Sequence, residues 1–429
     1  MKNLLTKVLL LLFICTTIIS NITITKANAA PYLEAQGVVL MDGKSGEILY
    51  SQNADVQYEP ASITKVMTAI VVLENTNLND NVTIGENPPM VDGSAIGIRE
   101  GEVYTVEELL LAMLLESAND CAEALAEFVS GSNAEFGMLM TERAKELGCT
   151  NTVFKNPSGL SEEGHLTTAN DMAKIMRFAL TFDDFINISR TISHKYENHP
   201  YSDGTEKWAT NRNNCYVDWS QWYYENLYTG KTGWTPEANH TYVAAAVKDD
   251  EVLVASFLNA VNKDAQYTSV GQLFDWGFDN FDSIKIVDKD EVLGEYPISN
   301  TISVPLLSNE TIYYTLSVGQ DPNVDISVNY PDKDYTESSI YKGEKLFDAT
   351  LLVNGEEFTQ IELLSGIDRE YNTKIKIENT LNEIKNSITT IILVVISIIV
   401  LSLIILMIIR RRRFLKRRRA IRKKYNFNS

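Results

Sequence analysis

Ser62-Ile63-Thr64-Lys65 sets a hydroxyl and a primary amine three positions apart at the expected start of a helix, where side chains so spaced share one face. A serine without a histidine partner needs another base to take its proton, and a lysine amine one turn away can serve. Taken alone, the pattern is also that of an ordinary surface pair. Two further tripeptides give it company. Ser117-Ala118-Asn119 falls between two expected helices, in a turn that can aim both side chains into a cleft or cap the second helix. Lys231-Thr232-Gly233 comes just ahead of an expected strand, and its glycine would let a substrate backbone approach closely. A serine, a neighbouring amine, a polar turn and a second cation together suit acyl transfer through a serine ester. The four histidines, at 165, 194, 199 and 240, make no HExxH or other ligand spacing, so no metal or other cofactor is expected.

The elements that would position these groups can be read from periodicity. Val38 to Met41 and Ile48 to Tyr50 flank Asp42-Gly43-Lys44-Ser45-Gly46 as strand, turn and strand. Val66, Met67, Ile70 and Leu73 then repeat at helical spacing after Pro60, which places Ser62 in the first turn of a buried helix. Thr105-Val106-Glu107-Glu108 is a capping-box pattern opening an amphipathic helix that ends near Ser117. Further helices are expected over 119–129, from Ser132 to Gly148, and over 171–180. Tyr242 to Val247 and Val252 to Phe257 read as a hairpin. Residues up to about 281 thus predict a helical cluster laid against a sheet built from both ends of the segment. Short strands between turns follow, at 302–305, 312–318, 324–328 and 351–353, and predict a small all-β domain.

Both ends of the chain carry an address. Lys2 and Lys7, the apolar stretch from Val8 to Ile19 and Ala27-Asn28-Ala29 form an export signal over 1–29. Ile388 to Ile409 is uncharged and long enough to cross a bilayer, and eleven Arg and Lys residues follow between Arg410 and Lys424. The positive-inside bias puts this basic tail in the cytoplasm and the bulk of the chain outside. The expected order is signal 1–29, catalytic domain 30–282, all-β domain 283–371, stalk 372–387, span 388–409 and cytoplasmic tail 410–429. The whole chain has a net charge of −19 despite those eleven cations, so the external part is strongly acidic and unsuited to nucleic acid. Beyond the signal, Cys121, Cys149 and Cys215 are odd in number and lack CxxC spacing, which reads as buried apolar thiols.

In this order the motifs resemble those of the low-molecular-mass penicillin-binding proteins of the D-Ala-D-Ala carboxypeptidase family. The likeness covers about residues 36–285. It rests on the run from Pro60 to Ala69, on Ser117-Ala118-Asn119-Asp120, Asn156-Pro157-Ser158-Gly159-Leu160, Thr168-Ala169-Asn170-Asp171-Met172-Ala173, Asn211-Arg212-Asn213 and Lys231-Thr232-Gly233. The resemblance implies an α/β (α+β) fold of the serine β-lactamase and DD-peptidase type, with an all-β domain behind it. It implies peptidoglycan stem peptides ending in D-Ala-D-Ala as substrate and β-lactams as covalent inhibitors.

By the same resemblance, Ser62 attacks the penultimate D-Ala carbonyl, Lys65 accepts its proton and Ser117 relays a proton to the leaving nitrogen. Asn119 holds the substrate amide, and Lys231, Thr232, Gly233 and Arg212 bind the terminal end. The backbone N–H groups of Ser62 and Trp234 hold the oxyanion. Ser158 and Asn239 depart from the family pattern, where histidine and glycine respectively are frequent. The aromatic stretch from Cys215 to Tyr228 is longer than expected, and reads as a packed loop or as a wall-binding lip. Two other readings compete: a class A-like β-lactamase, which needs a glutamate-held water that the Asn156 to Leu160 motif does not offer, and a non-hydrolytic β-lactam sensor or wall-binding protein.

Overall fold

The computed structural model describes residues 29–425 apart from 202, 300, 301 and 372, so the signal expected over 1–29 lies almost wholly outside the described residues. Two compact units share the chain. One comprises the residues up to Val287 together with Thr311–Val324; the other comprises Asp288–Glu310 and the chain from Asp325 onward.

The first unit is organised on a five-stranded antiparallel sheet in the order Ile48–Gln52, Gly37–Asp42, Glu251–Ala260, Asn239–Lys248, Leu227–Thr235. Its strands do come from both ends of the segment. Leu40 and Ala244 face Ala255 across the central ladder, and Lys231 pairs with Val243 at the edge. The inner strands are covered on both faces, which is why they read as unbroken apolar runs rather than as alternation. Val39, Met41, Val243 and Val254 face the helices Thr64–Asn75 and Ala169–Ala179, whereas Leu40, Tyr242 and Phe257 pack with Phe274 of the helix Lys263–Asn280. Each large apolar side chain so buried contributes roughly 1.5–3 kcal/mol.

Sequence did not predict the edge strand Leu227–Thr235. Leu-Tyr-Thr-Gly-Lys-Thr-Gly-Trp-Thr has two glycines and few apolar β-formers, and only pairing with Asn239–Lys248 makes it a strand. Lys231-Thr232-Gly233 therefore lies inside a strand and not ahead of one. The helix Thr64–Asn75 is buried from Thr64 through Val72, so it runs through the core with no solvent face at its start. Its neighbours follow the local signals. Thr105 and Glu108 form a reciprocal capping box, Ser132 caps Asn133–Glu146 through Glu135 N, and Gly148 follows that helix at φ +76°. The helix Val106–Leu111 widens into a π-helical turn over Ala112–Glu116 and ends on Ser117 in the left-handed region at φ 62°.

A two-stranded ribbon of Phe281–Val287 and Ile312–Ser317 also belongs to the first unit, tied by a 2.8 Å hydrogen bond from Thr315 to the buried Asp42 carboxylate. The second unit has a five-stranded sheet in the order Val292–Ser299, Ile302–Ser308, Glu356–Ser365, Lys345–Val353, Ile326–Asn329. A continuous helix, Thr373–Tyr425, includes the polar stretch, the apolar run and most of the basic tail. Among the described residues this is the one helix long and apolar enough to cross a membrane.

Candidate active site

Pro60 and Ala61 deliver Ser62 to the start of the core helix through a sharp bend. Ala61 has φ 49°, a left-handed value that costs a non-glycine residue energy and needs its surroundings to hold it. Gly159 and Gly233 close on this bend from two sides. A Cβ on Gly159 would lie 1.9 Å from Ala61 O, and one on Gly233 would lie 2.7 Å from Ser62 N and 2.4 Å from Thr241 Oγ1. From sequence, Gly233 is expected to admit a substrate backbone. In the structure its missing side chain is already taken up by the Ser62 bend, and this is the first reason for a glycine there.

One helical turn on, Lys65 is wholly buried and donates three hydrogen bonds: to Ser62 Oγ at 3.0 Å, Asn119 Oδ1 at 2.7 Å and Ser158 O at 2.6 Å. None of these acceptors is a carboxylate. Burial drives the Lys65 amine well below the usual lysine range, and the nearby Lys231 cation pushes it further the same way. Lys231, also buried, donates to Ser117 Oγ at 3.0 Å and Thr232 O at 2.7 Å. Desolvation and then Arg212 bring it down to about 7. Two buried amines, both depressed by desolvation, thus flank Ser62 and Ser117.

The turn Ser117-Ala118-Asn119 does not cap the following helix with a side chain, since Ala118 is at the cap position. Both polar side chains are spent on the site instead. Asn119 accepts from Lys65 and donates to Asp92 O at 2.7 Å. Its neighbour Asp120, which carried no assigned role in the sequence, accepts from the backbone of Gly97 at 2.9 Å, Ile98 at 3.2 Å, Ile96 at 3.3 Å and Cys121 at 2.9 Å. That carboxylate clamps residues 96–98 beside the turn. Only the long-range loop contact gives it meaning, so no local signal could have found it.

Ser62, Ser117, Arg212, Lys231, Thr232, Gly233 and Trp234 line one cleft of about 400 Å³, whereas Lys65 and Asn119 stand behind its wall. Arg212 is two-thirds exposed and forms an ion pair with Glu116, which also accepts from Thr210 N at 2.8 Å. Trp234 lies on the edge strand, whose outward N–H groups have no neighbouring strand to bond. Gln266, missed in the sequence, lines the cleft with its Nε2 buried and without a hydrogen-bond partner among the described residues. It sits on a helix face that reads as core, and nothing in its spacing marks it.

The two departures from pattern have local accommodations. Ser158 lends its carbonyl to Lys65 while its hydroxyl donates to Asn156 Oδ1 at 3.2 Å. Asn239 stands at φ 55°, where glycine or asparagine is favoured, and its amide donates to Asn259 Oδ1 at 2.7 Å. All three described cysteines are buried and free.

Residues 24–262 match the family model described as D-alanyl-D-alanine carboxypeptidase, which is more than half of the chain. The chain belongs to the D-alanyl-D-alanine carboxypeptidase family. Residues 281–371 match the C-terminal domain of penicillin-binding protein 5. The chain is similar to the D-alanyl-D-alanine carboxypeptidases DacF of Bacillus subtilis, at 30% identity over 75% of this chain and 82% of that one, and DacC of Escherichia coli, at 30% over 78% and 84%. Among solved structures it resembles penicillin binding protein 5 from Haemophilus influenzae, with a TM-score of 0.66 and 26% identity over 80% of this chain and 99% of that one. The fold is therefore the helical cluster on an antiparallel sheet, followed by an all-β domain, that the motifs implied.

Proposed function

We propose that this serine D-Ala-D-Ala carboxypeptidase works through Ser62 as nucleophile and Lys65 as its base. The observation that carries the reading is the buried, depressed Lys65 amine 3.0 Å from Ser62 Oγ with no carboxylate among its partners, since only a neutral amine can accept the proton. The family acts on peptidoglycan peptides ending in D-Ala-D-Ala and binds β-lactams.

As Ser62 Oγ bonds to the penultimate D-Ala carbonyl carbon, its proton passes to Lys65. The carbonyl π electrons move to an oxyanion held by the N–H groups of Ser62 and Trp234. When the tetrahedral centre collapses, the C–N bond breaks and the terminal D-Ala nitrogen takes the proton held by Lys65, relayed through Ser117, which Lys231 contacts at 3.0 Å; Lys65 is then neutral again. Asn119 bridges Lys65 and the substrate amide. Lys231, Thr232 and Gly233 bind the terminal carboxylate end, with Arg212 at the rim, where its pairing to Glu116 leaves it a secondary part. Water, deprotonated by Lys65, then attacks the ester carbonyl, and as the ester C–O bond breaks Lys65 returns that proton to Ser62 Oγ.

Around this core we assign 1–29 to export, 30–282 to the catalytic domain, 283–371 to a β spacer and 372–387 to a stalk. The apolar helix fits a membrane anchor. Its span is assigned to 388–409 with the basic tail, 410–429, cytoplasmic and the catalytic domain outside.

The test is D-Ala release by the full-length chain in detergent from diacetyl-Lys-D-Ala-D-Ala, beside covalent labelling by penicillin. Release with slow loss of label is expected, and Ser62→Ala should abolish both. Rapid penicillin turnover would favour the lactamase, stable label without D-Ala release the sensor, and labelling retained in Ser62→Ala would refute the site.

A further inference from the structure

Between the cleft residues Arg212–Asn214 and the Lys231 strand runs the loop that contains Trp219, Trp222, Tyr223 and Tyr224. These four rings divide into two kinds. Trp222 packs 5.3 Å from Tyr267, and Tyr224 stacks 6.0 Å from Phe274 while its hydroxyl donates to Asp275 Oδ1 at 2.8 Å. Trp219 and Tyr223 instead remain 65% and 47% exposed. Folding uses the first two rings and leaves the others on the surface, although indoles are usually mostly buried.

The outward rings sit on a fixed backbone. Val217 N donates to Asn213 O at 3.1 Å, Ser220 N to Val217 O at 3.0 Å, Tyr223 N to Ser220 O at 3.2 Å and Tyr224 N to Cys215 O at 2.9 Å. Held in place before a ligand arrives, they lose little freedom on binding one. Arg212 to Asn214, which line the cleft, begin this same segment, and Trp234, 57% exposed, lines the cleft as well. The loop thus starts at the cleft wall, and its Trp222 packs on Tyr267, another residue of that wall.

The chemistry of the substrate says what lies there. A stem peptide whose end enters the cleft is carried on a polysaccharide, and the sugars must pass outside it. Pyranose rings offer flat C–H faces to aromatic side chains, and their hydroxyls seek carboxylate and amide partners; the exposed Asp218, Gln221 and Glu225 alternate with the exposed rings. We propose that Trp219 and Tyr223 form a stacking site for the glycan strand to which the stem peptide is attached, an inference that rests on the carboxypeptidase reading of the Ser62 cleft.

The test uses the full-length chain in detergent and two substrates: free diacetyl-Lys-D-Ala-D-Ala, and soluble glycan strands bearing pentapeptides. The double variant Trp219→Ala/Tyr223→Ala should keep kcat/KM on the free peptide within about twofold and lose about tenfold on the glycan-borne one, mostly in KM. Phe at both positions should restore much of that loss, and peptide-free glycan should compete with the glycan-borne substrate only in the parent. Equal losses on both substrates, or none on either, would overturn the stacking site. A parent chain that releases no D-Ala from the free peptide would overturn the cleft reading and this inference together. Should the double Ala variant fail to take a penicillin label, the comparison passes to Trp219→Ser alone, with the same two outcomes.

Discussion

Replacing Gly233 by alanine isolates the contact between the edge strand and the nucleophile. Gly233 does not occupy the left-handed region, so alanine meets no backbone penalty and the effect is steric. The new Cβ would lie 2.7 Å from Ser62 N, 3.1 Å from Ala61 Cβ and 2.4 Å from Thr241 Oγ1. Thr241 cannot swing away cheaply, because it is buried and its hydroxyl donates to Pro60 O at 2.8 Å. Strand and bend must therefore part by roughly 0.8–1.1 Å to reach ordinary contact near 3.5 Å. Overpacking of this kind costs about 1–3 kcal/mol, a fall in melting temperature of roughly 2–10 °C for a unit of this size. The catalytic cost is separable: an oxyanion donor moved that far forfeits most of its ~3 kcal/mol, or about a hundredfold in acylation rate. Stopped-flow acylation by a fluorescent penicillin, with thermal melts alongside, reads both. Acylation within threefold of the parent, with an unchanged melt, would show that Gly233 and Ser62 are not in this contact and would refute the reasoning.

Lys65→Arg, which cannot become neutral, should lower penicillin acylation by about 10²–10⁴ at every pH tested, since the base itself is lost. The acid limb of kcat/KM reports the neutral fraction of Lys65; removing the opposing cation in Lys231→Met should raise the Lys65 pKa and move that limb to higher pH, and a limb that stays put would deny the coupling. For stability the sign follows from Lys231, about 7 folded against 10.5 for a free lysine: between those values the unfolded chain binds more protons, so stability should rise with pH from about 7 to about 10. Urea unfolding at several pH values should show that rise in the parent and a smaller one in Lys231→Met. Asp120→Ala removes the acceptor of four backbone N–H groups and should cost about 3 kcal/mol or more in urea unfolding, with faster hydrogen exchange at residues 96–98.

Much of this protein could be read from neighbouring residues. Local rules fix the Ser62 and Lys65 spacing, the Thr105 capping box, the Ser132 cap, the central apolar strands and the long apolar helix, because periodicity and capping act within a few positions. The edge strand was not legible, since Leu227–Thr235 becomes a strand only through pairing with Asn239–Lys248. Nor were the clamp made by Asp120 and the free donor of Gln266, whose partners or lack of them depend on segments far along the chain. The reactivity of Lys65 belongs to the same class. An amine acquires a depressed pKa only when packing strips its water and brings a second cation near, and both depend on distances across the fold that order along the chain does not specify.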